Sequence, residues 1–273
     1  MKRTLFLSTV LVGLVLASCQ AQEILGWSPN VHGSIDVAYQ SRYIWRGFDV
    51  FYQDESAVQI TADMTLTGTG FGMSVTGHRA NTSGYEDKER WDYNPYYQNT
   101  LFADSPIATN YRIGYVYYNY PQQRATASDL QELHAILAWP QATGIQGLVP
   151  SYALVKLWSA KSTQAGSTLA PEASGFAHIF MMDYQFQLPG YTADIPELPV
   201  RLHSELVYND GVDPRGIGGV DHDWSNWVIG AATDLDLGYN ITLIPAVNYQ
   251  ISMDKSVNPD NETWATISAK WAF

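Results

Sequence analysis

Along most of this chain, apolar and polar side chains alternate with a period of two. The clearest stretch is Ser56 to Leu66. There Val58, Ile60, Ala62, Met64 and Leu66 share one face, and Gln59, Thr61, Asp63 and Thr65 share the other. Segment 34–46 repeats the pattern, with Ile35, Val37, Tyr39, Tyr43 and Trp45 opposing Asp36, Ala38, Gln40, Arg42 and Arg46. In 199–209, Val200, Leu202, Leu206 and Tyr208 oppose Arg201, His203, Glu205 and Asn209. Fainter copies fall at 71–80, 91–102, 110–119, 129–139, 149–159, 176–187, 224–235, 239–252 and 262–273. Apolar residues at helical spacing are almost absent. Period two is the signature of a strand with one dry face. The chain therefore predicts about twelve strands, each near the roughly 9–11 residues a tilted strand needs to cross a bilayer. Pro95 and Pro245 fall inside strands and each removes a ladder hydrogen bond, so a bulge or local break is expected at each.

The connectors alternate in length. Those at 47–55, 81–90, 120–128, 160–175, 210–223 and 253–261 are mostly long and polar. Those at 67–70, 103–109, 140–148, 188–198 and 236–238 are shorter, apart from 188–198. Long loops on one side, short turns on the other and both termini on the short side is the layout of an outer-membrane barrel. Aromatic residues collect at strand ends. Tyr43, Trp45, Phe48, Trp91, Tyr93, Tyr117, Trp158, Tyr208, Trp224, Trp227 and Trp264 fall at the outer ends; Phe71, Phe102, Tyr111, Trp139, Tyr152, Phe186, Tyr239, Trp271 and Phe273 fall at the inner ends. Two such belts suit amphipathic rings at the two headgroup levels. The final strand ends on Trp271 and Phe273, which resembles the C-terminal signal read by the bacterial barrel-assembly machinery.

Before the first strand, Met1-Lys2-Arg3 leads into an apolar run from Leu5 to Ala17, the form of an export signal. Two cleavage readings stand. Leu16-Ala17-Ser18-Cys19 resembles a lipobox that would leave Cys19 lipidated, whereas Cys19-Gln20-Ala21 suits ordinary cleavage after residue 21. The second divides the chain into a signal peptide (1–21), a periplasmic N-terminal segment (22–33) and a barrel (34–273). Removing 1–21 takes two cations and no acid, moving the net charge from −12 to −14. That acidity argues against nucleic acid, which calls for a clustered basic surface. The 13% aromatic content excludes disorder, and a single cysteine excludes an internal disulfide framework.

Ser41-Arg42-Tyr43-Ile44-Trp45-Arg46-Gly47 resembles the S-x-Y-x-x-R-G motif of the Gcw-type conserved hypothetical bacterial exported proteins. The resemblance covers these seven residues and implies an outer-membrane barrel, with no activity attached. Read from the residues alone, Tyr43 and Trp45 point to lipid, Arg42 and Arg46 point into the lumen, and Gly47 opens the first outer loop.

If apolar faces meet lipid, the opposite faces line the interior. The pore-lining candidates are Asp36, Arg42, Arg46, Asp63, Glu132, His134, Lys156, Arg201, His203, Glu205 and Lys270, joined by His78, Arg112 and Asp183. Both signs are represented, which suits either charges that pair across a narrow barrel or a mixed-charge constriction for small polar solutes. An oligouronate channel would carry an arginine-dominated track. Catalysis is not expected, because the adjacent His203 and Ser204 face opposite ways on a strand. Asp210, Asp213, Asp221 and Asp223 form a Gly-rich acidic loop that only loosely resembles a calcium loop, and solvation explains it better. Glu86 to Arg90 likewise reads as a solvated loop tip. Gly68 and Gly70 read as turn glycines.

The sequence thus predicts an all-β, antiparallel, up-and-down transmembrane barrel in a Gram-negative-type outer membrane. Its expected role is a narrow porin-like channel without cofactor. Its expected partners are outer-membrane lipid, the barrel-assembly machinery and a small-molecule solute of unspecified class. The alternatives are a non-conducting structural or partner-binding barrel, and a soluble or lipid-anchored periplasmic β-sandwich that binds a ligand.

Overall fold

The computed structural model describes residues 31–53, 55–123, 128–160, 173–190, 197–215 and 219–273. The expected export signal, Cys19 and residues 22–30 lie outside the described residues. Twelve strands form the wall: β1 (Val31–Gln40), β2 (Ala57–Leu66), β3 (Phe71–Ala80), β4 (Arg90–Leu101), β5 (Thr109–Asn119), β6 (Leu130–Ala138), β7 (Leu148–Ser159), β8 (Gly175–Leu188), β9 (Leu198–Asp210), β10 (His222–Thr233), β11 (Ile241–Ser252) and β12 (Glu262–Ala272). The first begins at Val31, three residues before the expected barrel start.

Each strand pairs antiparallel with its sequence neighbours, and β1 pairs with β12 from Ser34↔Ala272 to Gln40↔Thr266. The sheet is therefore closed. Closure leaves no unpaired edge, the condition for strands to cross a hydrocarbon layer. Gly33 and Phe273 complete the seam by exchanging both backbone hydrogen bonds, each 2.9 Å long. Among the described residues no helix is long and apolar enough to cross a membrane.

The period-two pattern sorts the side chains as it predicts. Val37, Ile60, Ile113, Leu133, Phe180 and Val247 stand exposed on the outside of the wall. Asp36, Gln59, Thr61, Asp63 and His78 face inward. Both prolines interrupt a ladder without moving the register. Pairing of β4 with β5 skips from Tyr93↔Tyr117 to Tyr96↔Gly114 across Pro95. Pairing of β10 with β11 stops at Ala232↔Ala246, beside Pro245, and resumes at Leu235↔Leu243. In each case the missing N–H falls on the side where the ladder breaks. The register shift that does occur lies between Val207 and Tyr208.

The largest departure from the sequence reading is the first outer connection. The chain leaves the wall at Gln40, and the segment from Ser41 to Phe51 turns into the barrel. Ile44–Trp45 and Phe48–Asp49 pair as a small hairpin. Its two turn residues, Arg46 (φ 53°) and Gly47 (φ 89°), both adopt left-handed backbone, the hairpin turn that matches strand twist. Tyr43 and Phe48 are buried, and Trp45 packs against Tyr118. These three aromatics do not belong to the outer lipid belt. Alternation reports that one face of a strand is dry, and a packed interior is as dry as lipid. Trp264, also assigned to that belt, lies on the inward face of β12 with Glu262 and Thr266.

Candidate functional site

The inward hairpin is tied to the wall residue by residue. Ser41 exchanges hydrogen bonds with the Ala265 backbone, N to O and N to Oγ, both 2.9 Å. Arg42 forms an ion pair with Glu262. Arg46 Nη2 donates to Glu132 Oε2 at 2.5 Å. The same carboxylate oxygen accepts from the Tyr118 hydroxyl at 2.7 Å, and its other oxygen lies 3.1 Å from His134 Nδ1. The Gly47 carbonyl accepts from Gln250 Nε2 at 2.9 Å and from Asn258 Nδ2 at 3.2 Å. Phe48 packs with Val220 and Val257 under the Arg215 guanidinium. Ser41, Arg42, Arg46 and Gly47 of the S-x-Y-x-x-R-G stretch thus each have a specific partner on the wall or the outer loops.

Arg90 is the second anchor. It is 2% exposed and lies 3.9 Å from the Trp45 ring centroid and 4.8 Å from that of Tyr118. Its Nη2 donates to the Tyr43 hydroxyl at 2.8 Å, and its Nε stands 2.7 Å from Asp92 Oδ1. Burial pushes the Tyr43 hydroxyl well above its ordinary value, against the pull of Arg90, so this loop group stays neutral. The His78 ring bridges Gln59 and Asp92 at 2.9 and 2.8 Å and stacks on Tyr43. A cation between two rings and a carboxylate is strongly held once desolvated. Arg90 is therefore not the end of a solvated loop tip. It is the first inward position of β4, in phase with Asp92, Asn94 and Tyr96, and that alternation is the signal that identifies it. Asp92, Gln250, Asn258 and Glu262 are further anchors that sequence reasoning passed over.

Most expected lumen residues do face inward. Asp36 accepts from Ser268 and lies opposite Lys270 in register; Asp63 accepts from the Tyr96 hydroxyl at 3.0 Å. Arg112 donates to Gln98, Arg201 pairs with Asp234, and His203 stands between Asp183 and Glu205. Arg42 and Arg46 face the lumen from the hairpin, not from a strand. Lys156 does not face the lumen. In β7 the buried inward positions are Ala153, Val155 and Leu157, so Lys156 lies outside, paired with the exposed Leu133 and Phe176. Its ammonium sits 4.3 Å over the Phe176 ring and donates to Ser174. Both faces of β7 are apolar, and a lysine near a strand end can lay its stem along lipid while its head reaches the interface. The four loop acids do not converge. Asp210 bonds His222, Asp213 bonds Arg215, Asp221 N donates to Ser256, and Asp223 caps the Trp224 amide. Among the described residues no group of three metal-ligating side chains gathers anywhere.

The hairpin stands between open spaces in the lumen. On its outer side a space of about 510 Å³ lies among Arg42, Asp49, Arg215, Asn258 and Glu262. Directly inward of it lies one of about 300 Å³ bordered by Arg46, Asp92, Glu132 and His134. Towards the inner mouth are spaces of about 570 Å³ at Gln98 and Arg112, and of about 440 Å³ at Asp183, Arg201 and His203. The zone between the outer two of these spaces is thus built from side chains of both signs held in pairs.

No protein-family model matches the chain, and no curated protein matches it. Solved structures do. The KdgM porin is similar at 12% identity over 88% of this chain and 99% of that one, with a TM-score of 0.53. The NanC porin in a rhombohedral crystal form is similar at 11% identity over 87% and 98%, with a TM-score of 0.54. KdgM porin in complex with disordered oligogalacturonate gives 11%, 88% and 99%, with a TM-score of 0.51. At these identities the likeness is one of fold, and with the closed wall it makes this chain a closed, twelve-stranded antiparallel β-barrel of the architecture those porins share.

Proposed function

We propose that the protein is a narrow porin-like channel for small polar solutes, with the 41–56 loop setting its narrowest point. The observation that carries this reading is the placement of the Arg46 hairpin between an outer and an inner vestibule of the same lumen. A barrel of this strand number is already narrow, so an inward loop leaves a passage for small molecules only. Lumen cations are distributed against an oligouronate track: Arg46, Arg90 and Arg201 each sit beside a carboxylate. His203 and Ser204 do not act as a pair, since His203 faces the lumen while Ser204 accepts from Trp227 Nε1 on the outer surface.

The resemblance to the Gcw-type exported proteins fits the same reading, because its motif residues are the ones that hold the loop inside. We take export through a cleaved signal, assembly through the terminal Trp271 and Phe273, and residence in outer-membrane lipid as parts of this reading. The density of ion pairs at the hairpin favours one competing reading, a barrel that does not conduct. Planar-bilayer recording of the purified protein separates the two. Small, discrete KCl conductance steps are expected, and a correctly folded sample that gives none would overturn the channel.

A further inference from the structure

The space of about 300 Å³ directly inward of the hairpin has two unlike walls. One carries Ser74, Thr76, Asp92 and Asn94 from β3 and β4; the other carries Val155 and Ile179 with Ile136 and Met181. Packing Trp45 explains part of that apolar wall, since Val155 and Ile179 belong to the buried cluster beneath it. It does not explain Ile136 and Met181, which sit at the margin of the cluster and are only partly buried. A passage for inorganic ions gains nothing from apolar side chains facing its water.

The polar groups around the space balance in charge. Arg46 pairs with Glu132 and Arg90 with Asp92. A solute with net charge would have to draw one partner away and leave the other buried and alone, which is costly. A solute with one charge of each sign can address both. Two buried atoms of residues bordering the space also have no hydrogen-bond partner among the described residues: Arg46 Nε, a donor, and Asn94 Oδ1, an acceptor. They suit a carboxylate and an ammonium respectively. In liquid water this volume holds about ten molecules, comparable to the roughly nine heavy atoms of leucine.

We propose that this space is a transit subsite for zwitterionic solutes with an apolar side chain, the chemistry of aliphatic amino acids. The inference rests on the channel reading. The carboxylate turns to Arg46, the ammonium to Asn94 and Asp92, and the side chain lies along Ile136 and Met181.

The experiment uses the full-length protein reconstituted in liposomes and planar bilayers. Leucine and methionine should cross at least about threefold faster than serine, although serine is smaller, because an apolar pocket discriminates by methylene groups. Leucine, and not serine at equal concentration, should reduce the single-channel KCl current. The double substitution I136S/M181S, checked for folding by its heat-dependent gel shift, should erase the leucine-over-serine ratio. Clear KCl conductance with solute rates ordered by size alone, and no block by leucine, would overturn the subsite and leave the channel standing. A ratio that survives the double substitution would overturn the assignment of the apolar wall. Absence of any KCl conductance would overturn the channel itself and the subsite with it.

Discussion

Arg46 and Glu132, 86 residues apart in sequence, meet at 2.5 Å and bind the tip of the first outer loop to the barrel wall. Arg46 holds a left-handed backbone that costs a non-glycine residue about 1–2 kcal/mol. The ion pair, the Tyr118 hydroxyl and the 5.7 Å approach of Arg46 to its neighbour Trp45 offset that cost.

Glu132→Gln leaves the Arg46 guanidinium buried without its counter-ion, a loss of about 3–5 kcal/mol for the docked loop. The loop should detach for part of the time. Single-channel recordings are expected to show a larger and noisier conductance, and protease added from the outer side should cut near residue 46. The paired substitution R46A/E132A removes both charges and should disturb docking less than the two single changes added together. Strict additivity would deny the coupling.

Gly47 is fixed by two constraints at once. Its φ is 89°, and a Cβ there would lie 2.6 Å from Asn226 Oδ1. Gly68 has a similar φ of 76° with open space around it. Gly68→Ala should therefore cost only the backbone term, about 1 kcal/mol, whereas Gly47→Ala adds a collision and loosens the loop. Thermal unfolding in detergent measures the first effect. Protease sensitivity at 41–56 reads the second, and equal behaviour of the two variants would contradict the packing described.

The outward position of Lys156 makes a selectivity prediction. Lys156→Ala should leave the cation-to-anion preference of the pore unchanged, since its ammonium lies over Phe176 outside the wall. Lys270→Ala removes an inward cation opposite Asp36 and should shift the preference towards cations. Reversal potentials in a salt gradient decide between them, and a Lys156→Ala shift as large as that of Lys270→Ala would place Lys156 in the lumen.

At the seam, Gly33 leaves room for the last residue of the chain. A Cβ at Gly33 would come within 2.5 Å of the Phe273 ring and 2.8 Å of the Asp63 carbonyl. Gly33→Val should slow closure of β1 on β12, seen as a smaller heat-shiftable fraction after refolding into detergent. Gly33→Ala should be milder, and partly relieved by Phe273→Ala. A Gly33→Val variant that refolds like the parent would show that the seam does not depend on this contact.

How much of this was legible beforehand follows from what alternation measures. Strand positions from Val58–Leu66 to Thr263–Phe273 could be read because one face of each is apolar and the other polar. The prolines could be read as ladder breaks because a missing N–H is local chemistry. The pattern misplaces Lys156 because β7 carries apolar residues on both faces, so charge is the only guide to phase and it points the wrong way. Arg90 reads as part of a loop tip because it abuts a charged loop, although its phase with Asp92 marks it as inward.

By itself the sequence determined about twelve strands, their length and their antiparallel order, which follow from period two and loop length, and the lipid-facing side chains wherever a strand has one polar face. Only the tertiary structure decided that Ser41 to Phe51 fold inward. Tyr43 and Trp45 stay in phase with Ile35, Val37 and Tyr39 of β1, and local pattern cannot distinguish burial in lipid from burial against Arg90 and Tyr118. That distinction depends on Arg90 and Tyr118, 45 to 75 positions away, and only closure of the barrel brings them together.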